Sequence, residues 1–252
     1  MNKIFPSMCS RPEKIQIFAT IPFWIWVFVL FPMFMPFVGL GIWDEDKISV
    51  WLEIVYHVAN GIAMLVLVWS YLKDEWFMVS TDLRYYLKHI ALTVGLAVGA
   101  ELVLLGCLRI LGFDIILMLD GLPMVEMSVS HTPFLLVALE PIFGTIALSV
   151  FAPISICALF YCFGFAPVCC KKTGLAYICV AIVTLIPPII DILWRGEADL
   201  SLSGYIVRLP IHLIMCWSYQ KTDNVWTPLL SLSLFNLLSS VVLSVIPTVW
   251  AF

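Results

Sequence analysis

Long apolar runs, broken by short polar stretches, repeat from one end of the chain to the other. A membrane-spanning helix needs about 20 apolar residues at 1.5 Å of rise each. Runs of that kind cover residues 15–43, 48–72, 88–111, 133–165, 174–193, 204–220 and 225–250. The sixth is short and carries Arg208 and His212. Residues 113–131 are too polar to span and read as an outer loop. Residues 74–87 read as a separate interfacial helix, with Trp76, Phe77, Tyr85 and Tyr86 at headgroup depth. The pattern therefore predicts an all-α, polytopic membrane helix bundle with about seven transmembrane helices, forming a single membrane domain over residues 1–252.

Placement of Lys and Arg orients the bundle. With the N-terminus inside and the C-terminus outside, the inner segments hold Lys3, Arg11, Lys14, Lys73, Arg84, Lys88, Lys171, Lys172 and Lys221. The outer segments hold Lys47, Arg109 and Arg195. That excess is the bias expected of cytoplasmic loops, and a missing or extra span would scramble it downstream. The first apolar run is too long for a signal peptide and no small-residue cleavage site follows it, so it is expected to remain as a span.

Composition agrees. The 252 residues are 62% hydrophobic and 12% charged, with a mean hydropathy of +1.05. A soluble domain cannot hide that much apolar surface, so lipid is the expected solvent. The net charge of -4 comes with no basic block suited to nucleic acid. Cys107, Cys157, Cys162, Cys179 and Cys216 sit in apolar runs and read as small buried hydrophobes. Cys169-Cys170 is neither a zinc signature nor a redox pair. No metal site and no cofactor are expected. Proline inside the spans (Pro22, Pro32, Pro36, Pro141, Pro153, Pro187, Pro188, Pro210) reads as bent helices. Gly95 and Gly99 form a GxxxG step that permits close helix approach.

Ionisable groups at bilayer depth are costly and usually face the bundle interior with a partner. The proposed topology puts Glu53, His57 and Asn60 in the outer half of the second span and Glu101 past the middle of the third. Glu140 lies below the outer end of the fourth, and Asp191 at the outer end of the fifth. Arg208 and His212 lie in the outer turns of the sixth, and Asn236 near the middle of the seventh. Glu53/His57 and Arg208/His212 are i,i+4 pairs that share a helix face. The shared depth predicts one polar chamber below the outer surface. The bland alternative is a satisfied polar network that only locks the bundle.

The stretch Tyr219-Gln-Lys-Thr-Asp-Asn-Val-Trp-Thr-Pro-Leu-Leu-Ser-Leu-Ser-Leu-Phe-Asn236, with Leu139-Glu140-Pro-Ile-Phe-Gly-Thr145 and the basic turn at 171–174, resembles the CAAX protease and bacteriocin-processing family, also called CPBP or Abi. The likeness covers residues 130–245. It implies an intramembrane protease site of paired glutamates, two histidines and an asparagine that holds the oxyanion, with a Tyr-x-Arg-Thr-Gly-Ser-Leu-Trp-x-Pro-like turn before the helix that bears HxxxN. Much of that site is altered here. Glu140 matches the first glutamate, but Pro141 replaces the second and Thr145 the arginine. By spacing, the histidine of the FxxxH motif falls near Asp191, with Pro187 in place of Phe. The histidine of HxxxN is Leu232, while Asn236 remains. Leucine cannot bind metal, move a proton or orient a base, and proline cannot replace a carboxylate. The resemblance therefore implies a degenerate, non-proteolytic relative.

Three functions follow. The first is a binding, regulatory or immunity partner of another membrane protein or peptide. The second is an active intramembrane endopeptidase with a rearranged site, in which Glu140 is the base and Asn236 the oxyanion donor. The third is a small-solute transporter, against which no internal repeat is visible. Expected partners are membrane lipids and another membrane protein or a peptide, with no nucleic acid. The expected location is a cytoplasmic membrane, bacterial by the resemblance.

Overall fold

The structure, a computed structural model, describes residues 50–110, 173–195 and 199–250, together with 22, 23, 25, 26, 30, 146, 150, 151, 153 and 154. The first and fourth expected spans and the expected outer loop at 113–131 thus lie almost wholly outside the described residues. Among the described residues there is no strand. Five helices carry the described chain: α1 (Val50–Thr81), α2 (Leu83–Ile110), α3 (Thr173–Arg195), α4 (Asp199–Thr222) and α5 (Trp226–Trp250). Four follow the apolar runs read from the sequence to within a few residues.

The first departs from its run. It continues past residue 72 to Thr81, and α2 begins at Leu83. The interfacial helix expected over 74–87 is therefore the last turns of α1 and the first turn of α2. Their joint is Asp82, which caps α2: its carbonyl accepts from the Tyr85 and Tyr86 amides at 3.1 and 3.3 Å, and its carboxylate accepts from the Tyr85 amide at 3.3 Å. At 32 residues α1 is about 48 Å long, more than the hydrocarbon core of a bilayer.

Buried stripes explain the packing. On α1, Asn60, Met64, Val68, Leu72, Glu75 and Val79 recur at three- and four-residue steps and are all buried. Thr93 and Ala97 mark the inward face of α2. Two such stripes run along α4. Ile211, Met215, Ser218 and Thr222 form one, and His212, Cys216 and Tyr219 the other. Helix α4 is consequently the hub, packed on α2, α3 and α5. Helix α5 buries Val225, Leu229, Leu232 and Phe235, and lies against α2, α4 and α1. Gly61 of α1 lets the segment around Phe151 approach closely: a Cβ there would stand 2.8 Å from the Phe151 Cβ and 2.9 Å from its carbonyl oxygen.

The outward faces are apolar. Val66, Phe77, Leu102, Val103, Ile178 and Ile182 are all more than half exposed. Among the described residues one helical stretch, Leu83–Cys107, is long and apolar enough to cross a membrane, while His57–Trp69, Gly174–Ile186 and Trp226–Leu238 are shorter apolar helices.

Candidate functional site

Four cross-helix contacts set the register of the bundle. Thr93 Oγ1 and Ser218 Oγ lie 2.8 Å apart between α2 and α4. Thr184 Oγ1 and His212 Nδ1 lie 3.0 Å apart between α3 and α4. Trp226 Nε1 donates to the Leu72 carbonyl at 2.7 Å, and Asn224 Nδ2 donates to the Glu75 carbonyl at 2.9 Å, so the start of α5 is tied to α1.

Helical rise carries these levels along each helix. Counting from the Thr93–Ser218 contact away from the α4–α5 turn, Glu101 is about 12 Å up α2, His212 about 9 Å and Arg208 about 15 Å up α4. Trp226 follows Thr222 across the turn, about 6 Å below Ser218, which sets Asn236 about 9 Å and Asn60 about 12 Å above the same reference. Thr184 shares the level of His212. These groups thus fall within about 6 Å of one another in height.

Azimuth agrees with height. Glu101 continues the Thr93 and Ala97 stripe at i+4 and i+8, which faces α4. Arg208 extends the Ile211 stripe, and His212 heads the stripe that faces α3. Asn60 heads the α1 stripe, and Asn236 follows Leu232 on α5. Asn60 and His212 are buried; His57, Glu101, Arg208 and Asn236 are half-buried. His57, Glu101, Arg208, His212 and Asn236 each engage in at least one polar or ring interaction. The Asn60 amide nitrogen is buried with no hydrogen-bond partner among the described residues. Glu53 and Asp191 lie on α1 and α3, but their side chains are outside the described residues, as is the whole of Glu140. Leu232, four residues before Asn236, is buried in the apolar core.

A second polar group lies at the opposite end of the bundle, around the α4–α5 turn, and sequence reading missed most of it. Asn224 is fully buried; besides donating to the Glu75 carbonyl, its Oδ1 accepts from the Trp226 amide at 2.9 Å and so caps α5. Thr222 Oγ1 donates to the Ser218 carbonyl at 2.9 Å. Trp76 packs edge-on against Trp226, with ring centroids 4.9 Å apart. Asp223 has φ 50°. That is the left-handed conformation, which glycine takes without a Cβ penalty and other residues adopt at a cost. Glu75 is almost completely buried on the α1 stripe and is engaged by other groups. Its i+3 spacing from Leu72 was the available signal, masked by the neighbouring Lys73 and Asp74.

This turn is a structural clamp. The level of Asn60, Glu101, Arg208, His212 and Asn236 is the chemically richer site, since it combines amide donors, a carboxylate acceptor, a guanidinium and an imidazole. Comparison of the chain with family models, with curated proteins and with solved structures found no match. The likeness of residues 130–245 to the CPBP family therefore rests on the quoted residues.

Proposed function

We propose that this chain is a multi-pass membrane protein of about seven spans, N-terminus inside, that uses a polar chamber to bind a peptide or partner helix without cleaving it. Outward faces rich in Val, Leu and Ile support immersion in lipid. The observation that carries the binding reading is the common level of Asn60, Glu101, Arg208, His212 and Asn236 on inward stripes of four helices. In a bilayer such groups gain little from packing with hydrocarbon and much from a polar guest. The amides of Asn60 and Asn236 can donate to a peptide carbonyl, and Glu101 can accept from a peptide N–H.

Leu232, buried among apolar side chains, favours binding over hydrolysis. A water nucleophile needs a positioned base and an oxyanion donor, and leucine supplies neither beside Asn236. The rival reading, a peptidase that uses Glu140, makes the opposite prediction.

Two measurements decide between them. Purified protein in liposomes is incubated with a library of quenched fluorescent peptides. No cleavage above a protein-free blank is expected; cleavage that Glu140→Gln abolishes overturns the binding reading in favour of a peptidase. In growing cells, Asn236 is replaced by a photoreactive phenylalanine analogue. Irradiation is expected to give an adduct with a defined polypeptide, with a yield that falls when Glu101→Gln is added. Adducts with lipid alone would remove the chamber.

A further inference from the structure

The first turns of α2 and the last turn of α4 bring together Lys88, His89 and Lys221, beside the exposed ring of Tyr85. Tyr85 Oη donates to the Lys221 carbonyl at a long 3.4 Å, and its ring lies 4.5 Å from the His89 ring. The positive charges of Lys88 and Lys221 both act on His89. Both lysines are exposed, and among the described residues neither ammonium forms an ion pair. Two acids also approach, and the charges of both act on Tyr85. Asp82 caps α2 through the Tyr85 amide, and Asp223 sits exposed in the turn beyond Lys221.

Two like charges drawn from different helices repel, and the repulsion grows beside a low-dielectric lipid phase. An arrangement of that kind is relieved by an external anion. The exposed neighbours Tyr85 and Leu87 supply aromatic and aliphatic surface beside the charges, which suits an anion with hydrocarbon attached. We infer that the surface between the start of α2 and the end of α4 holds the headgroup of an anionic phospholipid, with Lys88 and Lys221 on its phosphate, His89 as a hydrogen-bonding contact and the Tyr85 ring beside it. This rests on the membrane placement proposed above and adds a specific lipid site to it. Phosphate diester oxygens accept strongly from ammonium groups, and two lysines from separate helices fix one headgroup in place.

The protein is reconstituted into nanodiscs of phosphatidylcholine with a rising fraction of phosphatidylglycerol. It is then re-extracted in mild detergent, and retained lipid is counted by native mass spectrometry. Wild type is expected to retain phosphatidylglycerol saturably. The double variant Lys88→Gln/Lys221→Gln should weaken retention roughly 30-fold, taking the usual contribution of each basic residue at a membrane surface. Lys88→Arg/Lys221→Arg should keep retention. Lys73→Gln, on the exposed face of α1, should leave it unchanged. An equal loss in Lys73→Gln means diffuse attraction and overturns the site. Displacement of the lipid by millimolar glycerol 3-phosphate overturns the lipid assignment in favour of a soluble anion. Alkaline carbonate extraction of cell membranes reads membrane embedding independently. Release into the supernatant sinks the membrane reading, whereas retention in the pellet with no lipid selectivity sinks only the site.

Discussion

Asn224 offers the sharpest test of how the bundle is closed. Its side chain works in two directions, donating to the Glu75 carbonyl on α1 and accepting from the Trp226 amide on α5, each at 2.9 Å and away from solvent. Asn224→Ala removes both. A buried N–H left without an acceptor costs about 1–3 kcal/mol, and the lost donation to Glu75 about 0.5–1.5 kcal/mol more. The expected loss is therefore roughly 2–4 kcal/mol, a factor of about 30 to 1,000 in the folded-to-unfolded ratio. Asn224→Asp separates the two roles. It keeps the acceptor that caps α5, in a place where the helix N-terminus favours negative charge. It replaces the donor by a carboxylate oxygen that faces the Glu75 carbonyl. If the clamp between α1 and α5 matters, Asp is at least as damaging as Ala; if only the cap matters, Asp is close to wild type. The assay is reversible unfolding by SDS titration in mixed micelles, followed by tryptophan fluorescence, because Trp76 and Trp226 meet at the clamp. An Ala variant within about 0.5 kcal/mol of wild type, the range of a neutral surface change, would refute the reasoning.

Two further outcomes follow from the packing. Gly61→Ala should destabilise by about 1–3 kcal/mol in the same titration, since the new methyl would meet the Phe151 carbonyl oxygen, which truncating the Phe151 side chain cannot move aside; an unchanged midpoint would show that α1 and the Phe151 segment separate freely. A cycle of Glu101→Gln, Arg208→Gln and the double variant should give a coupling of about 1 kcal/mol or more, because their levels differ by about 3 Å on the packed faces of α2 and α4; additivity within about 0.3 kcal/mol would place them on different levels.

The helices themselves were readable because an apolar run long enough to cross a bilayer has few alternatives to a helix. The last three helices begin and end within a few residues of the runs at 174–193, 204–220 and 225–250. Rise per residue also converts position into height, which sets Glu101, His212 and Asn236 within about 3 Å of one another along the bundle in the register of the described contacts. What the letters hide is which side of a helix meets a neighbour. Hydropathy falls at Lys73, Asp74 and Glu75, so the apolar run ends there in the sequence. Yet Lys73 and Asp74 point outward while Glu75 lies on the buried stripe four residues before Val79. Asn224 likewise looks like an ordinary turn residue until α1 is placed beside it. Glu140, the residue on which a peptidase would depend, lies outside the described residues, so its role stays a matter for the peptide library.

The clamp joins positions 149 and 154 residues apart. Residues of α1 leave the ribosome long before residues 224–226 do, so α1 spends most of synthesis without its fastening. The nascent chain must keep Leu72 and Glu75 in place until the final hairpin arrives. A chain that stops short of Asn224 never acquires its clasp and presents an open seam to quality-control proteases. Completion of the polypeptide and locking of the bundle are thus one event, so a prematurely terminated product should be cleared from the cell instead of lingering as a partly working protein.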